Sequence, residues 1–405
     1  MNFDPLSESF AKDPYAVYAA LRRKEQPFYY DEMDIWLLSR LEDVERAAVN
    51  PIFVRSLDAF LPSDKVAEER CKANWHDMPN HSRFVQFSLL DSDGDVHFRL
   101  RKIVMGMFTG RYIQRYRSMI QQYVDGILDT LLEKREIEFV EDLASHVPGH
   151  IIGNVLGVPD EDCPQLRIWS ENVVQFFDIG RTEEHKQLAE QATTEFYEYL
   201  VELISQRTRQ PREDLISALI AAKKSGELDE TELISTCMLI LMAGHGSTID
   251  VMGSGMNALL QHRDQLELLR RDPSLIQTAV QEMFRYESPL PFFHRYATED
   301  VDVLGKRYPK GTKFGLLYGS ANRDAETFPD ADKFDVSRKP NRHIAFGRGA
   351  HLCLGNHLSR LDMEIVFLTL LQRAKSIDLM IDEVKFKRSL SVRGPVALPL
   401  SITPT

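Results

Sequence analysis

Apolar residues recur at helical spacing over most of this chain and alternate only in short runs. Residues 14–24 have a period near that of an α-helix and predict a short amphipathic one. Residues 28–30 and 35–38 are β-like, joined by Asp-Glu-Met-Asp, which is a hairpin signal. Residues 42–49 are helical again. Residues 60–92 show no clear period and carry turn formers, and a structureless stretch of that length in a compact domain is usually functional. Helical patterning returns over 96–132, 141–156 and 165–207. The longest predicted helix runs from 229 to 262. Asp229 and Glu232 have the spacing of a capping box, and 237–243 is apolar on every side, so burial all round is expected. Another helix covers 274–286 and stops before Pro289. Residues 301–304, 313–317 and 384–404 read as strands. The β stretches interleave with the helices, which predicts one domain over 1–405, mainly α with a small β-rich part.

One stretch stands out from this pattern: Phe346-Gly347-Arg348-Gly349-Ala350-His351-Leu352-Cys353-Leu354-Gly355. Three glycines surround one cysteine, and an apolar helical run (Leu358, Leu361, Ile365, Val366, Leu368) follows at once. Glycine permits positive φ and close approach to the backbone. The positive end of the following helix points back at the sulfur and favours the thiolate, the form that binds metal. Cys71, Cys163 and Cys237 lie apart with no C-x-x-C spacing, which argues against zinc and against a disulfide framework and suits a reducing compartment.

Lys and Arg number 49 against 61 Asp and Glu, a formal charge of −12 that disfavours nucleic acid as a partner. No run of 18 apolar residues exists, so no membrane span is expected, and the first residues lack a secretory pattern. A cytoplasmic monomer is the expectation.

The spacing F-G-x-G-x-H-x-C-x-G resembles the haem-binding loop of the cytochrome P450 family. The resemblance implies the cytochrome P450 fold, with Cys353 as axial thiolate to the iron of haem b and Phe346 and Gly347 beside the ring. Glu282 and Arg285 look like the family's E-x-x-R, with Arg338 at the place of its arginine partner. These three are read as structural. His97, Arg101, Arg295 and His351 match family positions that meet the haem propionates.

Ala243-Gly244-His245-Gly246-Ser247-Thr248 resembles the family's A-G-x-[D/E]-T-T, with Ala243 and Gly244 against the haem. It departs where Gly246 replaces an acid and Ser247 a threonine. Those positions relay protons in the family, so Gly246, Ser247 and Thr248 are the catalytic candidates. Asp250, one turn beyond Gly246, is a candidate displaced acid, and His245 a weaker one. Phe176, Phe177, Met242, Leu290, Phe292, Phe293 and Val392 are the expected pocket residues for an apolar, terpenoid- or steroid-like substrate.

The implied reaction inserts one atom of O2 into a C–H bond. No flavin or iron–sulfur motif is present, so NAD(P)H electrons would arrive through a ferredoxin and its reductase. Arg99, Lys102, Arg111, Arg342 and Arg348 are the expected docking cations. Two other classes stay open: a haem-thiolate enzyme working with peroxide or by rearrangement or dehydration, and a haem-based sensor.

Overall fold

The computed structural model describes residues 3–405. Its longer helices in the first half are α1 (Tyr15–Arg22), α2 (Leu41–Val49), α3 (Ser63–Lys72), α4 (Pro79–Gln86), α5 (Gly94–Met105), α6 (Arg117–Lys134), α7 (Val147–Leu156) and α8 (Cys163–Val174). The second half contains α9 (Glu183–Arg209), α10 (Leu215–Lys224), α11 (Glu230–Ala243), α12 (Gly246–Gln261), α13 (Arg263–Arg271), α14 (Ile276–Tyr286) and α15 (Asn356–Arg373). The strands are β1 (Phe28–Tyr30), β2 (Ile35–Leu38), β3 (Phe53–Val54), β4 (Glu136–Glu138), β5 (Phe292–Ala297), β6 (Val301–Val303), β7 (Lys306–Tyr308), β8 (Lys313–Leu317), β9 (Ala374–Leu379) and β10 (Pro399–Pro404).

The predicted hairpin forms, with Phe28 opposite Leu37 and Tyr30 opposite Ile35. It is one edge of a five-stranded sheet ordered β1-β2-β8-β5-β3. β4, β10 and β9 make a second sheet, and β6 and β7 a third. Helices and sheets therefore draw on distant parts of the chain.

Several expected helices are interrupted. The 229–262 helix starts at the anticipated Asp229–Glu232 capping box but breaks between α11 and α12. At Gly244 an added Cβ would stand 2.4 Å from Ile152 and 2.8 Å from the Ile240 carbonyl, so only glycine fits. The 96–132 pattern splits into α5 and α6 through short turns around Gly106 and Gly110. The 165–207 pattern splits into α8 and α9, and the turn between them closes with a second capping box, Thr182 to His185. Residues 60–92, expected to be structureless, hold α3 and α4. Their period is hidden because α3 buries only Val66. Of 384–404, only β10 is a strand, with one isolated bridge from Phe386 to Pro395.

The main core surrounds α11 and α12, where Leu233, Cys237, Val251, Met252 and Met256 are inaccessible to solvent or nearly so. Residues 230–261 are apolar and long enough to cross a membrane, but most of their length is buried inside the protein, as befits a core helix.

A charged pair lies as deep, Glu282 with Arg285. Glu282 on α14 is fully buried. Its carboxylate accepts 2.7 Å hydrogen bonds from Arg285 Nε and Nη2, and 3.1 Å bonds from Arg338 Nε. The Asp335 amide and Asn341 side chain add two more at 3.0 Å. Both guanidiniums then donate onward, Arg285 to the Asn322 and Ala331 carbonyls and Arg338 to those of Pro329 and Asp330. Glu282→Ala would leave two buried cations without their anion, an effect of about 3–5 kcal/mol. Urea denaturation of the variant should show a loss of that size; a loss below about 1 kcal/mol would mean that the segment is held by packing alone.

Candidate active site

The segment tied to Glu282 leads directly into the glycine loop. Asn322 Oδ1 accepts the Ile344 amide at 2.7 Å and anchors the entry. Gly347 and Gly349 both have φ near +70°, and a Cβ at Gly349 would meet the Ala48 carbonyl at 2.8 Å. The Cys353 amide then donates to the Phe346 carbonyl at 2.9 Å and closes the loop. Cys353 is accessible from a cavity, yet protein surrounds it on all other sides. Burial pushes its thiol pKa up, while the Gly355 amide and the Arg101 and Arg360 cations pull the other way.

The cavity encloses about 1390 Å³ of atom-free space, part of it open to solvent. Cys353, Phe346 and Gly347 form one wall, and Ala243, Gly244, Ser247 and Thr248, at the α11–α12 break, form another. Leu89, Leu90, Phe108, Ile152, Leu239, Leu290 and Phe293 supply apolar lining.

Polar groups gather along one rim. His97 on α5 is pushed down to about 4, first by burial and then by His351 and Arg101, and its ring centre lies 4.3 Å from that of His351. His351 Nε2 donates to Asp93 at 2.9 Å. Burial disfavours the Asp93 carboxylate, but His351 and the Ser56 amide outweigh it and hold its pKa below the ordinary value. Arg101 donates to the Leu352 carbonyl at 2.5 Å. Arg295 is 2% exposed, and its guanidinium donates only to the neighbouring His294 carbonyl among the described residues.

A haem fits this donor set. A soft sulfur faces the cavity, and the buried Arg295 cation lacks the carboxylate that a propionate would supply. His97, Arg101, Arg295 and His351 are all brought to the rim, as the sequence resemblance implies.

Other expected residues lie elsewhere. Asp250 does not line the cavity: it is buried, accepts a 2.7 Å bond from Lys387, and abuts Gly394. His245 is buried and donates Nδ1–H to the Leu241 carbonyl at 3.0 Å. At Gly246 a Cβ would meet nothing within 4 Å. Leu290 and Phe293 line the cavity, but Phe292 does not, because neighbours on β5 face opposite ways. Phe292 packs instead with Tyr18 and Leu37. Phe176 and Phe177 pack edge-on or tilted against Trp75 and His81. Met242 joins the main core, and the Val392 amide is fixed to Ser389 Oγ. Arg55, Leu89 and Leu90 line the cavity without having been anticipated. They flank or fall within the stretch that showed no period.

The protein-family model described as Cytochrome P450 matches residues 67–389. The chain belongs to the cytochrome P450 family. It is mainly α with a small β part, has the cytochrome P450 fold, and is an oxidoreductase of the monooxygenase kind. It is 34% identical to the biotin biosynthesis cytochrome P450 of Bacillus subtilis, over 98% of each chain. It is 33% identical to that organism's polyketide biosynthesis cytochrome P450 PksS, over 99% of this chain and 98% of the relative. Among solved structures, P450BioI in complex with a hexadec-9Z-enoic acid ligated acyl carrier protein superposes with a TM-score of 0.90 at 32% identity, covering 98% of this chain and 99% of that one.

Asp91, just before α5, gives this cytochrome P450 a pH dependence that can be measured. Burial pushes its carboxyl up to about 6, against the pull of Arg55 at 3.6 Å. The folded value lies above the unfolded one of about 3.9, so the charged form disfavours folding. This contribution favours the fold below about pH 4 and is lost as pH rises through 6. Asp91→Asn should therefore stabilise the protein relative to wild type at pH 7.5 and much less at pH 4.5, read from urea midpoints. An equal difference at both pH values would show that Asp91 titrates normally.

Proposed function

We propose that the protein is a haem-thiolate monooxygenase that inserts one oxygen atom of O2 into a C–H bond of a hydrophobic small molecule. Electrons come from NAD(P)H through a ferredoxin and its reductase. The observation that carries the reading is Cys353 on the wall of an apolar cavity that also holds the Ser247 and Thr248 hydroxyls. When bound, the haem supplies the oxygen-activating redox centre, with thiolate electron density favouring O–O cleavage.

The chain's own residues do the rest. His97, Arg101, Arg295 and His351 hold the two carboxylates of the group at the rim. Leu90, Leu290, Phe293 and their neighbours exclude water and bind an apolar substrate by burial, at roughly 25 cal/mol per Å² of apolar surface. Ser247 holds a hydroxyl proton at the cavity wall, and the open space at Gly246 admits a water that hands protons to it. The names of the relatives support substrates built from acyl chains or polyketides.

Lys102, Arg111 and Arg342 are exposed and suit an acidic electron carrier, whereas Arg99 is engaged by Glu232 and Arg348 by Glu45. The reading takes 1–405 as one domain, a cytoplasmic monomer. Gly246, together with the engagement of Asp250 by Lys387, favours one second reading, a haem-thiolate enzyme that uses peroxide or catalyses rearrangement or dehydration without activating O2.

Reduced protein under carbon monoxide should give the absorption band of thiolate ligation, and Cys353→Ala should abolish it. A retained band in Cys353→Ala, lost instead in a variant of another cysteine, would overturn the assignment. Product formed per NADPH, with a reconstituted ferredoxin and reductase, separates the two readings. Wild type should lose part of its NADPH to peroxide, Gly246→Glu should raise the yield, and Ser247→Ala should lower it several-fold. No NADPH-dependent product with any hydrophobe, alongside turnover with peroxide, would favour the second reading.

A further inference from the structure

Cations crowd one side of the cavity with too few acids to meet them. β3 pairs antiparallel with β5, Phe53 with Ala297 and Val54 with Tyr296; Arg55 follows directly after β3, and its charge bears on Arg295. Like charges repel. Arg55 is 7% exposed, lines the cavity, and lies with its guanidinium 5.1 Å from the centre of the Phe293 ring. Its Nε donates to the Leu90 carbonyl at 3.3 Å, but its Nη1 has no partner.

Lys313 stands opposite Tyr296 on β8, and Arg181 precedes α9. Neither has a carboxylate partner among the described residues; Arg181 donates only to the Ala73 carbonyl. Burial first, and then Arg181 and Arg55, lower the proton affinity of Lys313, so their charges share one region. His294 is held neutral by burial and by Arg55 and Lys313. Of the acids nearby, Asp91 stands 3.6 Å from Arg55, and Asp34 is engaged by Tyr29. A buried N–H without an acceptor is costly, and the side chain that carries it borders a cavity that is otherwise mostly apolar. The four rim groups already described answer the two haem carboxylates and leave Arg55 over.

We propose that Arg55 anchors the carboxylate of an otherwise apolar substrate, a fatty acid in chemical class, with Lys313 and Arg181 adding positive field behind it. This rests on the monooxygenase reading for what happens to the substrate, not for how it binds.

Isothermal titration of the haem-loaded protein with dodecanoic acid, dodecan-1-ol, methyl dodecanoate and a dodecanoyl-loaded acyl carrier protein at pH 8 tests it, with haem content measured in parallel. Wild type should prefer the acid by about tenfold or more. Arg55→Gln should keep its haem and its affinity for the alcohol while losing the preference for the acid. Arg55→Lys should retain part of it, and Lys313→Gln should lose a smaller part that salt also removes. Three results would overturn the proposal: equal affinity of wild type for acid and ester; loss of haem in Arg55→Gln with the acid preference intact, which would place Arg55 on the haem carboxylates; or selection of a dodecanoyl group on a carrier protein over the free acid. The carbon monoxide band of wild type and its loss in Cys353→Ala are read independently of these results, so the anchor can fail while the haem-thiolate reading stands, and the reverse.

Discussion

The buried Glu282 carboxylate, shared by Arg285 and Arg338, is the constraint on which the site depends. A carboxylate removed from water is tolerable only when its hydrogen-bonding capacity is filled. Here the side chains of Arg285, Arg338 and Asn341 and the Asp335 amide fill it. The same two guanidiniums reach the carbonyls of Asn322, Pro329, Asp330 and Ala331, in a segment with almost no regular structure. A chain without a helix or sheet ladder needs its backbone groups satisfied some other way, and Arg285 and Arg338 do this for 322–333. The loop that presents Cys353 therefore hangs from α14, a helix of the main core.

Two glycine devices complete the arrangement on either side of the cavity. At Gly347 and Gly349 the chain takes left-handed turns that aim Cys353 into the space. At Gly244 the close approach of Ile152 stops α11 short and restarts the chain as α12, which opens the wall beside Ser247. In both places the requirement is steric. Gly244 and Gly349 leave no room for a side chain and Gly347 is held by its positive φ, whereas Gly246, with open space around it, is not constrained in this way.

The site was legible where chemistry fixes residue type and spacing together. Cys353 in its glycine bend stands out locally, whereas the Glu282–Arg285 pair and the rim residues gain meaning only through the family resemblance that the cysteine loop carries. Arg338 could be placed only through the family resemblance, since nothing local marks it. The helices were legible where a stripe is buried, as in α6 and α14, and hidden where little is, as in α3. The break at Gly244 was missed because it reflects what packs against the helix, not its own period, whereas at Gly106 an added Cβ would meet nothing and no contact explains the break. Pocket residues fared worst. Whether Phe292 or Phe293 faces the cavity depends on strand register, and whether Phe176 does depends on where Trp75 and His81 pack. Neither is encoded locally.

The same limit governs Asp250. Helix geometry puts it about one turn from Gly246, roughly 6 Å along the axis, which suggested that it could stand in for the absent acid. An α-helix has several faces, however, and α12 is buried almost all round, so closeness along the axis does not decide which neighbour a side chain meets. Asp250 meets Lys387 from the C-terminal segment at 2.7 Å, and Gly394 comes so close that a Cβ there would overlap the carboxylate. Burial raises its pKa and Lys387 opposes the rise, so its charge is spent within the pair. None of the residues lining the wall beside Ser247 is a carboxylic acid. The polar side chains beside the break are those of Ser247 and Thr248, and Gly246 leaves open space next to them. On the proposed monooxygenase reading, that makes the departure from the family's acid a change in the kind of relay, from a side chain with a fixed pKa to hydroxyls and solvent.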